Sequence, residues 1–120
     1  MKIIVKSVPE SLNKYAGRKN AWDYRDEKKK WTALVMAACL QSEDASTTPY
    51  DYAMVRIDYF FDSARRHDPD NYSGKVIMDG LTRAGVIADD DFGHISLSLH
   101  GHVDRENPRT EICVIRGFAP

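Results

Sequence analysis

Residues 65–71 read Arg-Arg-His-Asp-Pro-Asp-Asn, and three consecutive aspartates follow at 89–91. Two ionised carboxylates about 5 Å apart repel by roughly 3 kcal/mol at an effective dielectric of about 20. Either something positive offsets that cost, or the groups all face water. The positive partner that suits oxygen ligands is a hard cation, Mg²⁺ or Mn²⁺; Mg²⁺ often takes one or two carboxylates and completes its shell with water and phosphate. Such an ion on a phosphodiester polarises the phosphoryl oxygen, activates water and stabilises the leaving oxygen. Lys75, a few residues on, can neutralise charge that develops in the transition state. The competing account is local. Aspartates gather at turns and helix starts because their side chains bond nearby N–H groups, and a run of three is then a solvated loop. A calcium loop counted from Asp68 fails on three positions: Tyr72 stands fifth, Ser73 replaces the turn glycine, and Asp79 replaces the bidentate glutamate.

The elements that must position these groups follow from hydrophobic period. The stretch 2–8, Lys-Ile-Ile-Val-Lys-Ser-Val, is a β-branched first strand ended by Pro9. Residues 21–41 keep helical spacing, with Tyr24, Trp31, Leu34, Val35 and Ala38 on one face, Asn20 as cap, and early acids that complement the dipole. Residues 54–61 alternate Val55, Ile57, Tyr59 and Phe61 against Arg56 and Asp58, the period of a half-buried strand. Residues 74–85 read as a short helix with Val76, Ile77, Leu81 and Ala84 inward and Gly85 as a left-handed C-cap. Alternation returns at 94–103, with Ile95, Leu97 and Leu99 inward, and a last strand at 110–118 follows the turn at 104–109. The order β-α-β-α-β-β predicts an α+β fold, a mixed sheet with two helices, in one domain over residues 1–120.

Within that frame Pro69 holds Asp68 out of the α region. In an extended segment, positions two apart share a side, so Asp68 and Asp70 are expected to project together. Asn71 or Ser73 is expected to cap the second helix, whose free N–H groups attract anions. That helix runs about 15 Å, and five extended residues after it reach at most about 17 Å. Asp89 or Asp90 can therefore just return to the first pair.

The chain has 120 residues, net charge −1, 42% hydrophobic and 29% charged residues. That is an ordinary globular balance with no global charge favouring a polyanion, although basic residues gather at 14–30 and 65–66, and local fields steer association. Cys39 and Cys113 form no CxxC and fit a reduced chain. The opening apolar run is too short for a signal peptide or a membrane span. The expectation is a soluble, cytoplasmic protein with no membrane partner.

Taken together, residues 65–91 resemble the RusA family of Holliday-junction resolvases. The shared pattern is D-x-D-N, a lysine, D-x-L-x-x-A-G and a DD pair, here Asp68, Asp70, Asn71, Lys75, Asp79, Leu81, Ala84, Gly85, Asp89 and Asp90. The segment Pro-Glu-Ser-Leu-Asn-Lys-Tyr at 9–15 also looks like the family's P-x-S-x-N-x-Y. The resemblance implies a homodimer that hydrolyses phosphodiesters of four-way DNA junctions with Mg²⁺, Mn²⁺ being a possible substitute. It implies metal-binding, catalytic aspartates at Asp68, Asp70 and Asp90, with Lys75 as catalytic lysine. One position departs: Lys75 stands five residues after Asp70 rather than four, which places the extra residue at Ser73–Gly74.

Arg65, Arg66, His67, Lys14, Arg18 and Lys19 are candidate phosphate contacts that would not read bases. The Lys28–Lys30 run reads as solvated helix face. Trp22, Trp31 and Tyr24 read as core or dimer interface, and His100 with His102 as a solvated strand edge. Two rival functions stand beside the nuclease: a non-catalytic branched-DNA-binding protein with the same fold, and a small metal-binding module with no nucleic-acid partner.

Overall fold

β-Branched and aromatic residues at period two build the sheet, and two helices with apolar stripes cover one of its faces. The computed structural model describes residues 1–15, 21–42 and 48–119. In chain order the elements are β1 (Lys2–Val5), α1 (Ala21–Gln41), β2 (Ala53–Phe61), α2 (Lys75–Arg83), β3 (Ile95–Val103) and β4 (Arg109–Arg116), with short 3₁₀ turns at Leu12–Tyr15 and Pro69–Asn71. This is the expected α+β order. The first strand ends at Val5, three residues before the expected Val8. Asn20, the expected cap of α1, lies outside the described residues.

The four strands lie in the order β1-β4-β2-β3. β4 runs antiparallel to both β1 and β2, while β2 and β3 are parallel, with Val55 opposite Leu97 and Ile57 opposite Leu99. A parallel pair needs a crossover connection, and α2 supplies it. β3 and β4 follow each other in sequence but flank β2. The chain passes the end of β2, where the Asp104 N–H donates to Phe61 O at 2.8 Å. Asp104 Oδ1 then accepts from the N–H of Asn107 at 3.1 Å, and Oδ2 accepts from Arg109 Nη1 at 2.9 Å, which shapes the turn.

Alternate residues of β2, from Ala53 to Phe61, are buried in one core with Trp31, Val35 and Cys39 of α1 and Val76, Ile77 and Leu81 of α2. Leu97, expected inward, is 38% exposed, because β3 is an edge strand beyond the helical cover. The other sheet face carries a polar ladder. Arg56 holds Asp58 through two bonds of 2.9 and 3.1 Å, and His102 Nε2 lies 2.7 Å from Asp58 Oδ1. His102 is thus engaged across strands and also stacks on Phe60, rather than being only a solvated edge.

Gly80 sets the distance between the helices. A Cβ there would sit 2.7 Å from Val35 Cβ, so α2 approaches α1 more closely than any side chain at 80 permits. After α2 the chain turns at Gly85 (φ +75°) with the Val86 N–H donating to Leu81 O and the Gly85 N–H to Thr82 O. Those are the two bonds of a Schellman motif, and the expected left-handed C-cap is present.

Candidate functional site

Asp68 has extended geometry (φ −100°, ψ 136°), as the following proline dictates. The extension ends there. Pro69 opens a 3₁₀ turn, its fixed φ being suited to a first helical position, and the Asn71 N–H donates to Asp68 O at 2.9 Å. Asp70 therefore lies within a turn, and the same-side argument for Asp68 and Asp70 does not apply. The second helix is also capped differently from expectation. Its N-cap is Gly74 in left-handed geometry (φ +83°), without a side-chain cap from Asn71 or Ser73. A Cβ at 74 would lie 2.8 Å from Ile57 Cδ1, so the backbone passes directly over the sheet there.

That approach launches Lys75 at the first turn of α2. Its Nζ lies 3.3 Å from Asp79 Oδ1, one helical turn on, and 3.9 Å from Asp90 Oδ2. The charge of Asp79 and its hydrogen bond, followed by the charge of Asp90, push the ammonium above the ordinary lysine range. Lys75 is thus a cation at neutral pH, held between two carboxylates. Asp90 reaches it because the return segment is pinned: the Tyr50 N–H donates to Val86 O at 2.9 Å, and the Ala88 N–H donates to Tyr50 O at 3.0 Å. The return segment thus meets the start of α2 at Lys75, while the expected gathering of Asp89 or Asp90 with Asp68 and Asp70 is not seen in this conformation.

The aspartates themselves are distributed. Asp68 Oδ1 accepts from Arg66 Nε at 2.9 Å, and this exposed pair is partly screened by water. Asp70 is exposed. Among the described residues, the group of three whose ligand atoms lie within 4.8 Å of one another is Asp89, Asp91 and His94, and it could hold a metal ion. Asp68, Asp70 and Asp90 do not form such a group in this conformation. His94 contacts Asp91 through Nδ1. The bond raises the imidazole above its ordinary range and lowers the carboxyl below its own. Asp91 and His94 are absent from the sequence-derived site. Their only signal was the D-x-D-x-x-H spacing, which a turn converts into proximity.

The proposed phosphate contacts fall into different settings. Arg65 is exposed. His67 is half-buried, with its ring stacked on Phe61 at 3.7 Å and meeting Tyr72 edge-on at 5.7 Å. Lys14 lies 3.6 Å from Glu10. Arg18 and Lys19 lie outside the described residues. Beside this aromatic cluster is Tyr59, whose hydroxyl is buried without a hydrogen-bond partner among the described residues and is pushed above the ordinary phenol range by burial.

Lys75, Asp79, Asp89 and Asp90 line one side of a groove between the two helices; Trp22, Arg25, Lys28 and Lys29 of α1 line the other. Trp22 is 71% exposed, not core. The sequence groups Trp22 at helical spacing with Tyr24 and Trp31, but only Trp31 is fully buried, because which face of α1 is covered depends on where α2 packs. No helix among the described residues is long and apolar enough to cross a membrane. Compared with known proteins, the chain matches no family model and no curated protein.

Proposed function

We propose that this protein is an Mg²⁺-dependent, structure-specific endodeoxyribonuclease of RusA type, which cuts four-way DNA junctions as a homodimer. The observation that carries the proposal is the approach of Asp90 to Lys75 at 3.9 Å. It joins the D-x-D-N-plus-lysine segment to the DD segment, the two halves of the pattern that the family resemblance rests on. A junction has approximate two-fold symmetry, and a C₂ pair would present two such sites to opposing strands.

The donor chemistry fits the ion. Asp68, Asp70 and Asp90 offer only carboxylate oxygens, all at least partly accessible, and would hold Mg²⁺ or Mn²⁺. When bound, the ion supplies Lewis-acid polarisation of the phosphoryl group and stabilisation of the leaving oxygen. Lys75 stays protonated through its two carboxylate neighbours and donates to a non-bridging phosphate oxygen, where negative charge grows in the transition state. Asp79 orients that ammonium from one turn along α2. Arg66 holds Asp68 in reserve, an exposed pair weak enough for a divalent ion to displace. The Asp89–Asp91–His94 group adds an imidazole, a ligand better suited to transition ions than to Mg²⁺.

The distribution of Asp68, Asp70 and Asp90 favours a second reading, a branched-DNA-binding protein that keeps the fold without cutting. A labelled synthetic four-way junction and a matched linear duplex, each with and without Mg²⁺, separate the two. The nuclease nicks the junction only with the metal, and Asp70→Asn abolishes cutting while leaving junction affinity largely intact. Junction binding without nicking in either Mg²⁺ or Mn²⁺ would establish the second reading instead, and an Asp70→Asn variant that cuts at the wild-type rate would end the first.

A further inference from the structure

The groove between α1 and α2 has a volume of about 940 Å³. Its walls differ in charge. The α2 side and the return segment bring Asp79, Asp89 and Asp90, with Lys75 among them. The α1 side brings Arg25, Lys28 and Lys29 with one acid, Asp26, among them and so is net positive, and Arg83 in the last turn of α2 adds a fourth cation. Among the described residues, none of these four cations has a carboxylate within 4.0 Å, in contrast to Lys75. Two lie over aromatic rings instead: the Arg25 guanidinium is 4.7 Å from the Trp22 ring, and Lys28 Nζ is 5.4 Å from the Tyr24 ring. Trp22, in the first turn of α1, exposes most of its surface to solvent.

Cations without a carboxylate within 4.0 Å among the described residues, facing a divalent-ion candidate site across a long trough, are complementary to a polyanion that must reach that site. From Arg25 to Lys29 the helix rises about 6 Å, and one strand of B-form DNA carries a phosphate every 3.4 Å or so along its axis. The basic stripe therefore matches about two to three consecutive phosphates. An exposed indole at the end of such a track offers a stacking face to a base that has left its pair. We propose that this groove seats the DNA strand presented to Asp90, with its phosphates on Arg25, Lys28, Lys29 and Arg83, and with an unpaired base stacked on Trp22. The inference rests on the nuclease reading for the identity of its ligand as DNA. It assigns DNA contact to Lys28, Lys29 and Trp22, which the sequence reads as solvated helix or as core or interface, and to Arg25 and Arg83, and it gives a physical basis for preferring branched over fully paired DNA.

The test uses the full chain and a fluorescently labelled four-way junction in EDTA, where binding is separated from cutting. Anisotropy titrations across a salt series give affinity and its salt dependence. Each phosphate contact contributes about 0.9 to the log–log salt slope on a duplex and about 0.7 on a single strand. The triple variant Arg25→Ala/Lys28→Ala/Lys29→Ala is expected to lower the slope by about 2 to 3. Trp22→Ala is expected to weaken junction binding about five- to hundredfold with the slope unchanged, since stacking releases no counterions. Trp22→Phe restores most of that loss. All these side chains are exposed or at the groove margin, and coincident thermal unfolding curves check that the fold is intact. If wild type binds but the triple variant keeps its affinity and slope, the groove assignment is wrong, while Mg²⁺-dependent nicking would still uphold the nuclease. A reduced slope with no nicking leaves the groove standing and overturns the nuclease. A wild-type chain that binds no junction overturns the groove outright.

Discussion

Gly80 is where packing and local propensity oppose each other, and Gly80→Ala decides between them. In the middle of α2, alanine is favoured over glycine by about 0.8–1.0 kcal/mol on helix propensity alone. Against that, the new Cβ would lie 2.7, 2.9 and 3.3 Å from Cβ, Cγ1 and Cγ2 of Val35. Carbon atoms prefer separations of about 3.5–4.0 Å, so α2 must retreat by roughly 1 Å. Val35 cannot give way, because it is fully buried and its β-branched side chain is held to one rotamer in a helix. Overpacking of this kind costs about 1–3 kcal/mol. The net expectation is a loss of about 0.5–2 kcal/mol, or a fall in Tm of several degrees for a chain of this size. Urea unfolding of Gly80→Ala, Val35→Ala and the double variant measures it. Val35→Ala alone is destabilising, since it removes two buried methyl groups. In the double variant the alanine at 80 occupies the vacated space, so the loss falls short of additivity by about 0.5 kcal/mol or more. A Gly80→Ala protein as stable as wild type, or a strictly additive cycle, would refute the claim that this contact sets the helix spacing and with it the width of the groove.

The remaining predictions concern the turns and the sheet's open face. Gly85→Ala meets no atom within 4 Å and carries only the strain of a positive φ, about 1–2 kcal/mol. Gly74→Ala adds a 2.8 Å clash with Ile57 and should cost more; denaturant midpoints in the reverse order would contradict the contact account. Asp58 is held below the ordinary carboxylate range, first by the hydrogen bond from Arg56 and then by His102. A lowered folded pKa means that the unfolded chain takes up the proton more readily, so this contribution is complete above about pH 4 and is lost as pH falls through the folded value. Asp58→Asn should be less stable at neutral pH and should lose stability less steeply in acid. Identical acid slopes in urea titrations of the two proteins would show that the pair contributes nothing.

Much of the fold was legible because its determinants are local. The helical stripe of residues 21–41 and the alternation at Val55, Ile57, Tyr59 and Phe61 are periods that the backbone itself imposes. Gly85 announced the end of α2 because its positive φ and the two bonds beside it involve only a handful of consecutive residues. The chemistry-bearing residue types were also apparent: carboxylates in two clusters, with a lysine between them in sequence. Other features depended on partners far along the chain. No local signal distinguishes β4 beside β3 from β4 inserted between β1 and β2, since strand order is a choice among long-range pairings. The cap of α2 moved from Asn71 or Ser73 to Gly74 because the chain had to pass within contact of Ile57, and His67 became part of an aromatic stack because Phe61 lies beneath it. Which face of α1 was left for Trp22, Arg25 and Lys29 depended on where Gly80 let α2 settle. Sequence by itself determined the elements, their ends and the stock of ionisable groups, since those obey rules acting over a few residues. Only tertiary packing decided which charges met, because Lys75 and Asp90, or Asp79 and the wall of α1, become neighbours through the closure of the core and not through their spacing along the chain.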